Sequence, residues 1–320
     1  MMDVLSSQTT SMKSLMAEKN ESLQFLLNPV FPSCGMGAVV GSSDCCKSTF
    51  LRHLAACVAS DSEFLFWETT PVFRRVLYVS TEDEESAMGR LLKRQNKTWQ
   101  LNDEQAERVE FLFSCDCIPQ KVEAVLGERR ADLVIVDTFG DICKEDLSQS
   151  NNIRNLLNSF GEIARRYNCF ILFAHHLRKS GEGSASSKLN ILGSQAFEAK
   201  MRVVLELRRK PKSGNILQVR ILKGNYLPFD YKQQVFELQL DENMCLFANK
   251  SCGDTTGEPS LFSDETPCGK TDNERKRTYP QNLETIVDLR NSGKSIREIS
   301  ELVPQSKSTV QRILKKLPEA

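Results

Sequence analysis

The sequence predicts an α/β fold: a mainly parallel sheet flanked by helices, an antiparallel hairpin at its end, and a small all-α domain behind it. Three observations predict this. Apolar, β-branched runs alternate with helical stretches between Ala38 and Ala174, the pattern of strand–helix–strand units. A Gly/Ser-rich loop from Gly41 to Thr49 stands between the first such run and a helix. After Ala248 the composition turns polar, and helical patterning returns only near Leu283.

The totals set outer bounds. A chain of 320 residues can bury a substantial core and has room for one large domain plus a small one. With 42 basic and 42 acidic residues the formal net charge is zero, so any nucleic-acid surface must be local. The 11 cysteines include no C-x-x-C, and Cys115-Asp116-Cys117 is too tight for a usual zinc pair. Cys57 and Cys169 lie in apolar runs and read as small core residues in a reducing cytosol. No apolar stretch approaches membrane-spanning length and the N-terminus lacks a signal-peptide run, so a soluble cytoplasmic protein without a membrane partner is expected.

Residues 1–27 are polar with scattered Met and Leu, and Ser14 to Leu27 is expected to form a short helix lying on the domain. Asn28 to Gly37 carries Pro29, Pro32, Gly35 and Gly37, a turn feeding the first strand, Ala38-Val39-Val40. The loop that follows nearly satisfies G-x-x-x-x-G-K-[ST]. Backbone N–H groups of Gly41, Ser42, Ser43, Asp44, Cys45, Cys46, Lys47, Ser48 and Thr49, with the unpaired donors of the next helix, would wrap a polyphosphate. Lys47 would reach the β- and γ-phosphates and the Ser48 hydroxyl would hold Mg²⁺. The departure is Cys46, where the pattern has glycine; a Cβ there crowds the phosphates or strains the backbone. The plain alternative is a Ser/Gly turn before a helix.

Arg75–Ser80 is a strand, and Thr81-Glu82-Asp83-Glu84-Glu85 follows at its C-terminal end, before a helix through Met88, Leu91 and Leu92. These carboxylates either complement the helix dipole or, in the case of Glu82, stand near the phosphate loop to orient and deprotonate an attacking water. Val109–Phe113 is a strand and a helix follows near Gln120–Arg130. Leu133-Val134-Ile135-Val136-Asp137 is an apolar strand ending in a carboxylate, which after a phosphate loop reads as the group holding Mg²⁺ or its water. A helix (Asn151–Tyr167) leads to the buried strand Cys169–Ala174, tipped by His175-His176, two of the three histidines. There they read as a polar sensor of the γ-phosphate; a lone histidine would more simply be structural.

Leu177 to Leu192 is polar, without periodicity, and basic at Arg178, Lys179 and Lys188. It reads as a mobile loop, either plain surface or a grip on a nucleic-acid phosphate chain. Met201–Arg209 and Ile216–Lys223 form a hairpin about Lys212–Asn215, and Val235–Leu240 is a further strand. Arg208, Arg209, Lys210 and Lys223 at its ends could meet a neighbouring subunit's nucleotide or be ordinary edge-strand charge. Residues 249–280 are a linker. Helices at Leu283–Asn291, Ser295–Leu302 and Lys307–Lys316 describe a helix-turn-helix exposing Lys307, Ser308, Thr309, Gln311 and Arg312 to duplex DNA; a protein-binding three-helix module is the alternative. The expected organisation is thus 1–27, 28–248, 249–280 and 281–320.

In their order, GSSDCCKST, YVSTED, LVIVDT, FAHHLRK and ILGSQAFEAKMRVV make residues 28–240 resemble a RecA-fold P-loop ATPase, most similar to the RepA-type hexameric replicative helicases of plasmids and mobile elements. The resemblance implies ATP and Mg²⁺ as cofactors and a homo-oligomeric, hexameric ring on single-stranded DNA. It implies Glu82 as catalytic carboxylate, with Lys47 at the transferred phosphate. It implies Asp137 on the Mg²⁺ side and His176, with His175, as sensor. Arg90 falls near a family arginine that packs on adenine, and Arg208 or Arg209 corresponds to an arginine that crosses to the neighbour's phosphate. Cys46 departs from the family glycine and leaves open a weak ATPase or a nucleotide-bound switch. Two functions follow: a DNA motor recruited by its C-terminal module, or a DNA-binding regulatory or replication-initiation protein that uses ATP only to assemble.

Overall fold

The computed structural model describes residues 10–17, 23–143, 150–177, 186–191, 194–210, 213–249, 289, 292 and 294–302. The chain divides into two compact units, Met1–Pro259 and Ser260–Ala320. In chain order the first unit contains α1 (Met12–Ala17), β1 (Phe25–Asn28), β2 (Phe31–Pro32), β3 (Gly35–Gly41), α2 (Lys47–Ser60), β4 (Glu68–Thr69), β5 (Val76–Ser80) and α3 (Glu85–Trp99). Then come α4 (Asp103–Glu107), β6 (Val109–Phe113), α5 (Ile118–Glu128), β7 (Leu133–Asp137), α6 (Phe139–Ile142), α7 (Ser150–Tyr167) and β8 (Phe170–His176). It ends with α8 (Ser194–Lys200), β9 (Val203–Arg209), β10 (Ile216–Gly224), α9 (Phe229–Gln233), β11 (Val235–Leu240) and β12 (Leu246–Ala248).

The central sheet has nine strands in the order β12-β11-β10-β9-β3-β8-β7-β5-β6. From β6 to β9 every pairing is parallel; from β9 to β12 every pairing is antiparallel. This is the α/β architecture the apolar runs predict. Its parallel strands are buried on both faces, as helices on each side require.

Strand alternation sorts the side chains into two cores. Val39, Tyr78, Ile135, Leu172 and Leu205 pack on the side of α2, among Phe50, Leu51 and Leu54. Val40, Val79, Val136, Phe173 and Val204 pack on the other side, among Ile153, Leu157 and Phe160 of α7. Because β3, β8 and β9 are in parallel register, their C-terminal residues Gly41, His176 and Arg209 share the parity of the α2 face. Ser80 and Asp137, opposite each other at the ends of β5 and β7, belong to the same face.

Several expectations need correction. Helix α1 stops at Ala17, and Phe25–Asn28 is a strand, so the expected boundary at residue 28 falls inside β1. Leu26 and Leu27 are buried because β1 pairs antiparallel with β2 across the Pro29 turn and with the distant β4, a small second sheet. The expected loop 177–192 is anchored at both ends: Leu177 bridges to Ile191, and both are buried. Cys57 and Cys169 are core residues, as expected.

Of the second unit, α10 (Ile296–Leu302) is described. Ser295 and Glu298 cap it reciprocally: Ser295 N donates to Glu298 Oε2 at 2.8 Å and Glu298 N to Ser295 Oγ at 3.4 Å. The linker from 250 to 280 and the expected duplex-contacting residues Lys307, Ser308, Thr309, Gln311 and Arg312 lie outside the described residues.

Candidate nucleotide site

The loop from Gly41 to Cys46 joins β3 to the N-terminus of α2, so a strand aims it and a helix closes it. Gly41 has no room for a side chain: a Cβ would stand 2.3 Å from Cys45 Sγ and 2.6 Å from the Leu207 carbonyl. Cys46, the N-cap of α2, adopts φ 66°, ψ 30°, the left-handed conformation that glycine takes freely and a thiol-bearing residue does not. Sequence and geometry agree on what is unusual here. The backbone keeps the glycine shape although the glycine is gone.

Lys47 is buried and turns back over the loop. Its ammonium donates to the carbonyls of Ser42 (2.8 Å) and Gly41 (3.2 Å), and stands 3.4 Å from His176 Nδ1. On the far side of the ring, His176 Nε2 faces Glu82 Oε1 at 3.7 Å. Three expected site residues from three distant segments thus form one line. Cys45 is buried beside Lys47, and burial pushes its thiol up to about 11, so it stays neutral.

Asp137 is buried at the end of β7. Tyr78 Oη donates to its Oδ2 at 2.6 Å, while Oδ1 is buried and has no hydrogen-bond partner. Burial and the neighbouring carboxylate push the Tyr78 phenol well above its usual range, so it remains a donor. An unpartnered buried carboxylate oxygen fits a hydrated Mg²⁺, and Asp137 with Ser48 are the residues that would hold it.

The loop bearing Glu82 is pinned from two sides. Thr81 Oγ1 donates to Asp141 Oδ2 (2.6 Å) and accepts from Thr138 N (2.7 Å), tying it to the end of β7. Arg52, buried on α2, donates through Nε to Gln95 Oε1 (3.0 Å) and reaches Asp83 Oδ2 at 3.9 Å through Nη1. Neither tie shows in a local motif. Tyr78 had a signal: it precedes Ser80 by one strand repeat and so faces the Asp137 side.

The remaining expected residues separate. His175 is buried on the opposite face, against Phe197 (4.5 Å) and Phe139 (5.3 Å), a packing role rather than a phosphate sensor. Arg208 also lies on that face and donates to the buried Glu206 at 2.8 Å. Arg209 lies on its own chain's phosphate loop: Nε donates to the Asp44 carbonyl (2.8 Å) and Nη2 to Cys46 Sγ (3.1 Å). Lys210 pairs with Glu237 (2.9 Å) and Lys223 with Glu198 (3.0 Å), which favours edge-strand charge over a neighbour's nucleotide for both. Lys188 also faces Glu198, at 3.6 Å. Arg90 is exposed on α3. Arg178 and Lys179 lie outside the described residues.

A family model described as an AAA domain matches residues 3–182, more than half of the chain. The chain belongs to the AAA-domain family. The match spans the phosphate loop, Glu82, Asp137 and His176, so this AAA domain is a P-loop NTPase. The solved ATPase domain of a DnaB-like helicase is similar in structure, with TM-score 0.51 and 14% identity, covering 67% of this chain and 84% of that one. That likeness shows the fold, a RecA-like α/β ATPase core. A RadB recombinase structure aligns over 67% of this chain and 90% of its own, with 17% identity and TM-score 0.48. No curated protein matches the chain closely enough to count as a relative. Among the described residues, no helix is long and apolar enough to cross a membrane.

Proposed function

We propose that this AAA domain binds ATP with Mg²⁺ at the loop from Gly41 to Thr49 and hydrolyses it in association with DNA. The observation that carries the reading is the line from Lys47 through His176 to Glu82, beside the unpartnered oxygen of Asp137. Lys47 exchanges the carbonyls of Gly41 and Ser42 for phosphate oxygens, and the free N–H groups at the start of α2 take the rest. Glu82 orients water and accepts its proton, and His176 ties Glu82's position to the phosphate that Lys47 holds. When bound, Mg²⁺ supplies charge neutralisation on the phosphates, and Asp137 and Ser48 are its holders.

Support for DNA lies in the sequence. The basic loop with Arg178, Lys179 and Lys188 suits a single strand, and the helix-turn-helix pattern with Lys307, Ser308, Thr309, Gln311 and Arg312 suits a duplex. On this reading the protein is a RepA-like helicase or DNA-remodelling ATPase of a mobile element, assembled as a cytoplasmic hexameric ring. Arg90 packs on the adenine. The second reading, a replication-initiation or regulatory protein that uses ATP as an assembly switch, is favoured by one feature: the strained Cys46 in the phosphate loop. Phosphate release with and without single-stranded DNA separates the two. DNA-stimulated turnover that Lys47→Ala abolishes supports the first; nucleotide-dependent duplex binding without turnover supports the second.

A further inference from the structure

Cys46 and Arg209 are 163 residues apart in sequence and share a hydrogen bond at the phosphate loop. Arg209 commits its whole guanidinium there. Nε binds the Asp44 carbonyl, Nη2 the Cys46 thiol, and Nη1 the Gly214 carbonyl at the hairpin turn. The two loop residues it engages, Asp44 (φ 59°) and Cys46 (φ 66°), are the two in the loop with left-handed backbone. Neither is glycine, so each holds a conformation its own side chain disfavours. The thiol is a neutral acceptor, because burial raises its titration above the usual cysteine range despite the guanidinium beside it.

We infer that Arg209 is a positioning residue for the phosphate loop of its own chain, holding Asp44 and Cys46 in the polyphosphate-binding shape that glycine would adopt unaided. This rests on the nucleotide-binding reading above and goes beyond it. It joins the loop's departure from pattern to a residue on another strand, and it assigns Arg209 to the same chain's site rather than a neighbour's. The route is short: Arg209 is the last residue of β9, which runs parallel to β3, and the Leu207 carbonyl already abuts Gly41. A planar fork with several donors suits two acceptors of different chemistry, which an ammonium at the same place would not span.

The test is a double-mutant cycle on the full-length protein, read as binding of a fluorescent ATP analogue with Mg²⁺. Arg209→Ala is expected to weaken binding about tenfold in the wild-type background, the range for losing charge-assisted hydrogen bonds. In a Cys46→Gly background, where the loop needs no latch, the same substitution is expected to cost no more than about twofold. Arg209 is exposed, so neither variant threatens the fold. Equal losses in both backgrounds would overturn the inference while leaving nucleotide binding in place. Adding Lys47→Ala subunits, which carry an intact Arg209, is expected to leave the Arg209→Ala defect unchanged; recovery on mixing would mean that Arg209 serves a neighbour. Wild-type protein that binds no nucleotide would remove the proposed function and this inference with it.

Discussion

Lys47 Nζ stands 3.4 Å from His176 Nδ1. An ammonium only donates, so Nδ1 must present its lone pair and the ring proton must sit on Nε2, the nitrogen facing Glu82. The contact therefore fixes a tautomer and gives the ring a direction, from the phosphate-binding cation toward the catalytic carboxylate. His176→Ala is expected to lower turnover by about 10²-fold while changing nucleotide affinity little, since the loop and Lys47 remain. Steady-state phosphate release alongside equilibrium binding checks it; a loss of affinity equal to the loss of turnover would count against a linking role.

Glu82 is half exposed, at 54%, on a loop whose neighbours Thr81 and Asp83 carry the structural bonds. Its carboxylate is thus available for chemistry rather than packing. Glu82→Gln keeps size and shape and removes the base. Turnover is expected to fall by about 10²–10⁴-fold with ATP affinity preserved. Asp83→Asn should instead loosen the Arg52 tie and cost far less, which makes the pair a control for general damage to the loop.

The parts of this site that could be read in the sequence are those carried by short-range pattern. Gly41–Thr49 is a contiguous motif, and Asp137 and His176 end apolar strands, where a parallel sheet gathers its ligands. Choosing His176 over His175 needed the strand register, which puts one on the α2 face and the other among phenylalanines. The ties of Arg52 to Asp83 and Arg209 to Cys46 were hidden because they join segments far apart in the chain. The misassigned strand β1 failed for the same reason: its partner β4 lies some forty residues on, and only that pairing explains why Leu26 and Leu27 are buried.

Cys46 holds a backbone shape that costs a non-glycine residue about 1–2 kcal/mol. Cys46→Gly removes that cost and the Cβ that faces the phosphates. Tighter nucleotide binding is expected, by about tenfold at most, with turnover raised as well. Calorimetric titration with MgATP and a phosphate-release assay would show it; unchanged values in both would mean the loop is already unstrained by its surroundings.

Tyr78 gives Asp137 its one hydrogen bond from within the core. Tyr78→Phe preserves packing but leaves both carboxylate oxygens without that donor. Stability is expected to drop by about 1–3 kcal/mol, the cost of an unsatisfied buried acceptor. Half-saturation by Mg²⁺ should rise, because the carboxylate loses its orientation. Urea denaturation and a Mg²⁺ titration of turnover measure the two effects separately.

His53, on α2, stacks against Trp99 with ring centroids 5.7 Å apart and meets Phe64 edge-on, while its Nδ1 is buried without a partner. Burial lowers its titration from 6.5 to about 4, against a weaker opposing pull from Asp241. The unfolded chain therefore takes up a proton below 6.5 that the folded ring refuses until about 4. Stability from this group is complete above the unfolded value, falls as the pH drops through that window, and is flat below it. A shift of this size corresponds to about 3 kcal/mol across the window. His53→Phe keeps the aromatic packing and is expected to abolish that part of the slope. Urea midpoints followed by tryptophan emission at about pH 7 and about pH 4.5 should then lie closer together in the variant than in the wild type. An identical acid shift in both would show that the imidazole is not what the acid acts on.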